Sequence, residues 1–160
     1  SLLDYMSEEE IKKEIEENKY MYAHLGEEFG EVYLYDGLQT YEFVSFFVKT
    51  NDEKFIIYSI DGIIDYHEKN FKQCLKNLNN IAKEISNAFT NARKSGPTKS
   101  KHSGDKSGKS FYTGIYFYLK SGDYAEVTCY EWSDEAPPGW VNNLRVGFAT
   151  KEFYDWLINK

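Results

Sequence analysis

A chain of 160 residues with a net charge of −7 and 41% hydrophobic residues can form the core of one domain, which excludes a disordered chain. The negative charge argues against nucleic-acid binding by the folded body, because phosphates repel it. No apolar run in the sequence approaches the roughly 20 residues that a membrane-spanning helix requires, so we expect a soluble protein.

The first predicted element is a helix over about 8–25. Ser7 and Glu10 have the spacing of a capping box, in which each side chain binds the other residue's backbone amide. Gly26 is expected to end the helix. The residues that recur on one face, and so predict the buried side, are Ile11, Ile15, Tyr22 and Leu25.

Three strands and a long helix follow. The strands are predicted over about 31–35, 41–49 and 54–60, and the last two flank a polar turn and form a hairpin. Both alternating sets of residues in this hairpin are largely apolar, so we expect it to be covered on both faces. Apolar residues at three- and four-residue spacing then predict a helix over about 68–91, packed on one face of the hairpin.

The segment 93–110 is basic and of low complexity. Six lysines and arginines against Asp105 give it a net charge of +5, so the rest of the chain carries −12. It has no large apolar residue, and we predict a mobile loop that separates two strand–helix halves of one domain. Weak contact with nucleic acid or an acidic partner is its alternative role. A phosphate-binding loop is not predicted, because Ser103 stands where that motif requires glycine.

The second half contains another hairpin, predicted over about 111–120 and 124–132, with clean alternation of apolar and polar residues. A proline-containing loop over 133–143, a strand over 144–149 and a helix over about 151–159 complete the chain. The predicted fold is therefore α+β: a mostly antiparallel sheet of about six strands, one long helix packed on a face and shorter terminal helices.

One face of the second hairpin is rich in tyrosine and is the candidate partner-binding surface. The candidate residues are Tyr112, Tyr116, Tyr118, Tyr124, Glu126, Tyr130, Trp132, Asp134, Glu135 and Trp140. A helix or the N-terminal segment could cover this face, which would make it part of the core. If it is exposed, its aromatic and acidic side chains favour a basic protein partner.

The two cysteines, Cys74 and Cys129, lie far apart on different predicted elements. We expect two buried, reduced thiols, and the alternative is a disulfide, which would imply an exported protein. The cytoplasm is the expected location. Because the chain begins with Ser1, a removed leader peptide remains open.

No residue spacing in the sequence predicts a catalytic or metal site, and we expect no enzyme activity and no cofactor. The three histidines are isolated, and Glu126 and Glu131 would point to opposite faces of one strand. The predicted function is protein binding, most specifically by an acidic immunity- or inhibitor-type protein that neutralises a basic toxin. The alternatives are an assembly subunit of a larger complex and a small-ligand-binding domain with its cavity between the sheet and the long helix.

Overall fold

The computed structural model describes residues 1–19, 26–66 and 71–158, and it contains a seven-stranded antiparallel sheet. The strands are β1 (Phe29–Leu34), β2 (Phe43–Lys49), β3 (Ile57–Asp65), β4 (Arg93–Lys101), β5 (Phe111–Tyr118), β6 (Tyr124–Glu131) and β7 (Asn143–Ala149). The helices are α1 (Glu8–Asn18), α2 (Phe71–Ala88) and α3 (Lys151–Ile158), preceded by a short 3-10 helix, Leu2–Asp4. The spatial strand order is β1-β2-β3-β7-β6-β5-β4, so the predicted α+β fold is confirmed.

One face of the sheet, the helix-covered face, is apolar. Strand pairing aligns Ile115, Val127, Val146, Gly62 and Val44 in one row across it. The long helix α2 packs its buried stripe on the β5, β6 and β7 end of this row, and α1 packs on the β1 and β2 end. Both helices therefore bury the same face of the sheet. This burial of apolar area is the main source of stability.

The opposite face, here called the open face, carries polar and aromatic side chains. One of its rows runs through Tyr116, Glu126, Gly147, Asp61, Ser45 and Tyr33. Only α3 packs on this face among the described helices, and its Phe153 and Trp156 cover the end near Phe29 and Phe47. The expectation that the first hairpin is covered on both faces is therefore correct only beneath α3. The expectation that the long helix covers this hairpin is wrong, because α2 packs mainly on β5, β6 and β7.

The segment 93–110 is not a mobile loop, and its first half is the edge strand β4. The polar sequence of this strand has no apolar alternation from which a strand could be predicted, because β4 is stabilised by backbone pairing with β5 rather than by apolar burial. The long cationic side chains also lie over aromatic rings of β5: the Arg93 guanidinium is 4.4 Å from the Tyr118 ring, and the Lys99 ammonium is 4.6 Å from that of Phe111. Lysines on an exposed edge strand also discourage pairing with another chain.

The second half of the basic segment is organised around the buried carboxylate of Asp105. This group accepts hydrogen bonds from the amide and hydroxyl of Ser107 at 2.8 Å and from the Ser110 hydroxyl at 2.6 Å. The Ser133 hydroxyl donates a further bond at 3.0 Å and ties the turn to the loop after β6. These hydrogen bonds favour the ionised form and hold the pKa of Asp105 well below its ordinary value.

Cys74 and Cys129 form a disulfide, so the expectation of two reduced thiols is wrong. Cys74 lies on the buried stripe of α2, and Cys129 lies on the helix-facing side of β6. Packing α2 on the sheet brings their Cα atoms to 6.1 Å across a sequence separation of 55 residues. The bond therefore links the long helix to a central strand.

The predicted element boundaries hold in part. The capping box at α1 is confirmed: the Glu10 amide donates to the Ser7 hydroxyl, and the Glu10 carboxylate accepts from the Ser7 amide. The predicted end of this first helix and the predicted start of the long one fall partly outside the described residues. Strand β3 runs five residues beyond its predicted end, to Asp65. Among the described helices, none combines the length and apolarity needed to cross a bilayer.

Candidate functional site

The open face contains a cavity of about 460 Å³, here called the cleft. Its floor comes from the two central strands, β3 and β7, through Ile63, Asp65, Asn143 and Arg145. Aromatic side chains form two walls on either side of this floor. The cleft exists because the alternation of the strands leaves these side chains on the face that α1 and α2 do not cover.

The first wall stands on β1 and β2. The Tyr33 ring lies 5.6 Å from the Phe43 ring, and the Tyr35 ring lies 6.0 Å from Tyr33 and 5.8 Å from Phe43. Tyr35 is 61% exposed, so the outer part of this wall is open to solvent. The three rings form an aromatic rim along one side of the cleft.

The second wall combines β6 with two loops. The Trp132 ring stacks on Tyr130 at 5.6 Å with an interplanar angle of 13°, and it lies 4.3 Å from Trp140. His102 contacts Trp132 at 4.5 Å, and Asp105 holds the turn that carries this histidine. Burial among these rings lowers the pKa of His102, which favours the neutral imidazole.

An ion pair lies at the centre of the open face. The Arg145 Nε donates to Asp61 Oδ1 at 2.9 Å, and Nη2 donates to Oδ2 at 2.6 Å, which is a bidentate contact. Gly147 makes room for the carboxylate, because a Cβ at this position would lie 2.3 Å from Asp61 Oδ1. Asp61 is only 4% exposed, and its bidentate contact with Arg145 offsets the cost of burying a carboxylate.

A second carboxyl, that of Glu126, lies beside the same arginine. Its Oε1 atom is 3.7 Å from Arg145 Nε, which is already occupied by Asp61. Burial raises the pKa of Glu126, and Arg145 opposes this shift only in part. One guanidinium therefore serves two largely buried carboxyl groups.

The third carboxyl belongs to Glu31 on β1, which is 7% exposed and lines the cleft. Its Oε2 atom has no hydrogen-bond partner among the described residues. Burial raises the pKa of Glu31, while hydrogen bonds from Tyr33 and Ser45 and the charge of Arg145 lower it. The Glu31 carboxyl therefore contains a buried and unsatisfied oxygen atom, which costs free energy.

The floor and its borders thus contain more acidic than basic groups. Asp61, Glu126 and Glu31 surround Arg145, and Asp65 adds a fourth carboxyl at the end of β3. A cleft with this balance attracts cations and repels anions.

The structure separates the residues of the predicted partner-binding surface into two groups. Five lie in or beside the cleft: Tyr130, Trp132 and Trp140 in its second wall, Tyr112 against that wall, and Glu126 next to the floor. Tyr116 lies over Gly114 in the same face, and burial raises its pKa to about 12. The expectation that the whole hairpin face forms one surface is therefore too broad.

The remaining predicted residues lie away from the cleft. Arg93 lies over the Tyr118 ring, and Tyr124 packs at 4.9 Å on Tyr154 of α3. Asp134 and Glu135 are exposed on the loop after β6, and Glu135 forms an ion pair with Lys109.

Sequence reasoning missed half of the cleft. The missed lining residues include Glu31, Tyr33, Phe43, His102 and Arg145, and Asp61, the buried partner of Arg145, was missed as well. A signal was present, because Asp61 and Arg145 are opposite charges in the middle of otherwise apolar strands, where a charge requires a partner. What the sequence does not give is the pairing of β3 with β7, which brings these two residues together.

Within the described residues, no group of three or more His, Cys, Asp or Glu side chains is arranged to hold a metal ion. Comparison with protein families, with curated proteins and with solved structures finds no match to this chain. The geometry of the cleft is therefore the basis for assigning a function.

Proposed function

We propose that this chain is a non-enzymatic protein-binding domain that receives a basic partner on its open face. The most specific form of the proposal is an acidic immunity- or inhibitor-type protein that neutralises a basic toxin. The observation that carries it is the cleft, which has aromatic walls and is lined by two carboxyl groups, those of Glu31 and Asp65, and one guanidinium, that of Arg145. Tyrosine and tryptophan at the centre of an interface contribute most of its binding energy.

The charge of the molecule supports the same proposal. Outside the basic segment the chain carries a net charge of −12, which would steer a cationic protein towards it. Trp140 lines the cleft and is 42% exposed, so a bound partner would bury it. Charge complementarity of this kind increases the association rate and rejects acidic competitors.

The disulfide supports a location outside the cytosol for this function. Disulfides persist in oxidising compartments and are rare in the cytosol. The Cys74–Cys129 bond therefore favours an exported protein, the alternative to the expected cytoplasmic location. We propose that the protein meets its partner outside the reducing cytosol.

The test is capture from the native extract at low and high salt, with identification of the bound proteins by mass spectrometry. We expect one basic protein at low salt and less of it at high salt. Trp132→Ala should abolish capture, whereas Tyr5→Ala should not, because Tyr5 is an exposed tyrosine that stacks on Phe46 of the helix-covered face. Capture of many members of one complex, independent of Trp132, would instead support the assembly subunit.

Binding of a small ligand is the second candidate, and the position of Glu31 favours it. A small-ligand site requires polar groups at a cavity, and Glu31 and Arg145, which both line the cleft, meet this requirement. The cavity differs from the one expected from the sequence, because α2 is closely packed on the sheet and the cleft lies on the opposite face. Native mass spectrometry of the purified protein tests this candidate by detecting a retained small molecule.

A further inference from the structure

We infer that the outer edge of β4 binds an extended acidic segment of a second protein, which adds to the sheet as an eighth strand. This is a second surface, and it goes beyond the proposed function because its partner is acidic and does not need the cleft. Three features carry the inference: the backbone of this edge, the lysines along it and the charge of the rest of the chain.

The first feature is the backbone of β4, an edge strand whose residues are all at least partly exposed. The His102 amide donates to the Ser110 carbonyl at 3.0 Å, in the same register that joins β4 to β5. In an antiparallel ladder, alternate residues direct their amide and carbonyl groups to the same side. Ser100 therefore pairs with β5, whereas the backbone groups of Lys99 and Lys101 point away from the sheet.

The opposite edge of the sheet, formed by β1, is closed at the equivalent place. The Tyr33 amide donates to the Glu14 carboxylate at 3.1 Å, and α1 packs along this strand. In the part of the chain that the structure describes, no strand pairs with the outer edge of β4. The β4 edge is therefore the one suited to strand addition, in which main-chain hydrogen bonds provide affinity.

The second feature is a row of lysines. Lys94, Lys99 and Lys101 lie opposite alternate residues of β5, the set that also contains Ile115 of the helix-covered face. Their side chains therefore share one side of β4, and all three residues direct their backbone groups outward. An added strand with carboxylates at every second position would place these opposite the lysines.

The existing contacts of these lysines leave room for such a strand. Lys99 pairs with Glu131 at 2.9 Å, but the two side chains are 52% and 38% exposed. An exposed ion pair contributes little free energy, so a carboxylate of the partner can replace Glu131 at small cost. The β4 edge of another copy would instead bring its own lysines against this row, and like charges oppose that pairing.

The third feature is the contrast in charge. The segment 93–110 carries +5 and the rest of the chain carries −12, so an acidic segment is repelled elsewhere and attracted to this edge. Nucleic acid is the less favoured occupant. Its backbone has no amide groups to pair with β4, and Glu131 and Glu135 beside the lysines would repel its phosphates.

The probe is a capped hexapeptide of alternating glutamate and threonine, titrated into the whole chain and followed by its backbone amide NMR signals. The amides of Lys99 and Lys101 should shift, and their exchange with solvent deuterium should slow by about tenfold or more. The Ser100 amide, which pairs with β5, should exchange slowly with or without peptide. The Tyr33 amide on the other edge should not shift.

Two altered peptides separate charge from strand pairing. In the first, glutamine replaces glutamate, which removes the charge and should abolish the shifts at the same peptide concentration. In the second, a methyl group on each glutamate amide blocks hydrogen bonding to β4 and keeps the charge. This peptide should also fail to protect Lys99 and Lys101 from exchange.

Variants of Lys99 make the same separation in the protein. Lys99→Gln should weaken binding of the glutamate peptide by about threefold, because one exposed charge is lost. Lys99→Pro also removes the outward amide and should weaken binding by about tenfold or more. Proline is tolerated where the amide of an edge strand faces solvent. Lys12→Gln on α1 is the matched control, since Lys12 is also exposed and paired with one carboxylate, and it should leave affinity unchanged.

Several results would overturn the inference. Equal binding of the glutamine peptide would show that charge is not read. Equal protection by the methylated peptide, or equal affinity of the two Lys99 variants, would exclude strand addition. Tighter binding of a single-stranded oligonucleotide of the same charge would make this edge a nucleic-acid contact. A shift of the Lys99 and Lys101 amides with protein concentration, in the absence of peptide, would make the occupant a second copy of the chain.

Discussion

The two faces of the sheet use alternate residues of the same strands, yet they are built on opposite physical principles. The helix-covered face buries aliphatic side chains under α1 and α2 and is cross-linked by the disulfide. The open face holds a partly exposed arginine among three largely buried carboxyl groups, beside partly exposed aromatic rings. Apolar burial stabilises a fold directly, whereas buried ion pairs often do no better than apolar residues of the same volume.

This difference indicates where stability and function lie. A sheet that needed only stability would place apolar residues at Asp61 and Arg145 as well. The helix-covered face therefore provides a rigid platform. The carboxyl groups around Arg145 on the open face cost free energy when no ligand is bound. Sites that bind or catalyse often show this pattern of local cost.

The largest expected effect comes from removing the ion pair of the open face. Arg145→Met removes the partner of Asp61 and Glu126 and leaves their charges buried, which should reduce the free energy of unfolding by about 3–5 kcal/mol. Urea denaturation at neutral pH measures this loss. Arg145→Met combined with Asp61→Leu should recover much of it, because no charge then remains on this pair of strands. A double variant as unstable as the single one would contradict the role given to Arg145.

The next effect tests the helix-covered face. Replacing Cys74 and Cys129 together by alanine removes the link between α2 and β6 and should cost about 2–4 kcal/mol of unfolding free energy. Because the bond lies on the other side of the sheet from the cleft, the indole N–H signals of Trp132 and Trp140 should keep their positions in the folded fraction. Urea denaturation and the NMR spectrum measure the two quantities. A shift of these two signals would show that the two faces are coupled.

The sequence predicts the helix-covered face far better than the open face. Hydrophobic periodicity locates the long helix and the hairpins, because the spacing of apolar residues within one segment indicates which face of that helix or strand is buried. The Ser7 capping box is equally local, since its partners are three residues apart. These signals suffice for the α+β class and for most of the strands.

The missed features all depend on contacts between distant residues. Strand β4 has no apolar pattern and is recognised only from its pairing with β5. Cys74 and Cys129 come together only after α2 packs, and Asp61 meets Arg145 across 84 residues. The cleft follows the same rule, because β1, β2, β3, β6 and β7 all contribute to it, and no single segment of the sequence determines the order of these strands in the sheet.

The smallest expected effect has the opposite sign and concerns Glu31. Glu31→Gln removes a buried carboxyl whose ionisation is disfavoured, so it should raise the free energy of unfolding at neutral pH by about 0.5–2 kcal/mol. Because the pKa of Glu31 is raised on folding, the folded state holds its proton more tightly. The wild type therefore loses stability as pH rises from the unfolded value, about 4.3, through the raised folded pKa.

The gain from Glu31→Gln should consequently be full above the folded pKa and disappear below about pH 4, where the carboxyl is protonated in both states. Parallel urea titrations of wild type and variant across this range measure the difference. Glu126, whose pKa is also raised, and Asp105, whose pKa is lowered, are present in both proteins and cancel in the comparison. A variant that is less stable at neutral pH would mean that ionised Glu31 holds the fold together through Tyr33, Ser45 or Arg145.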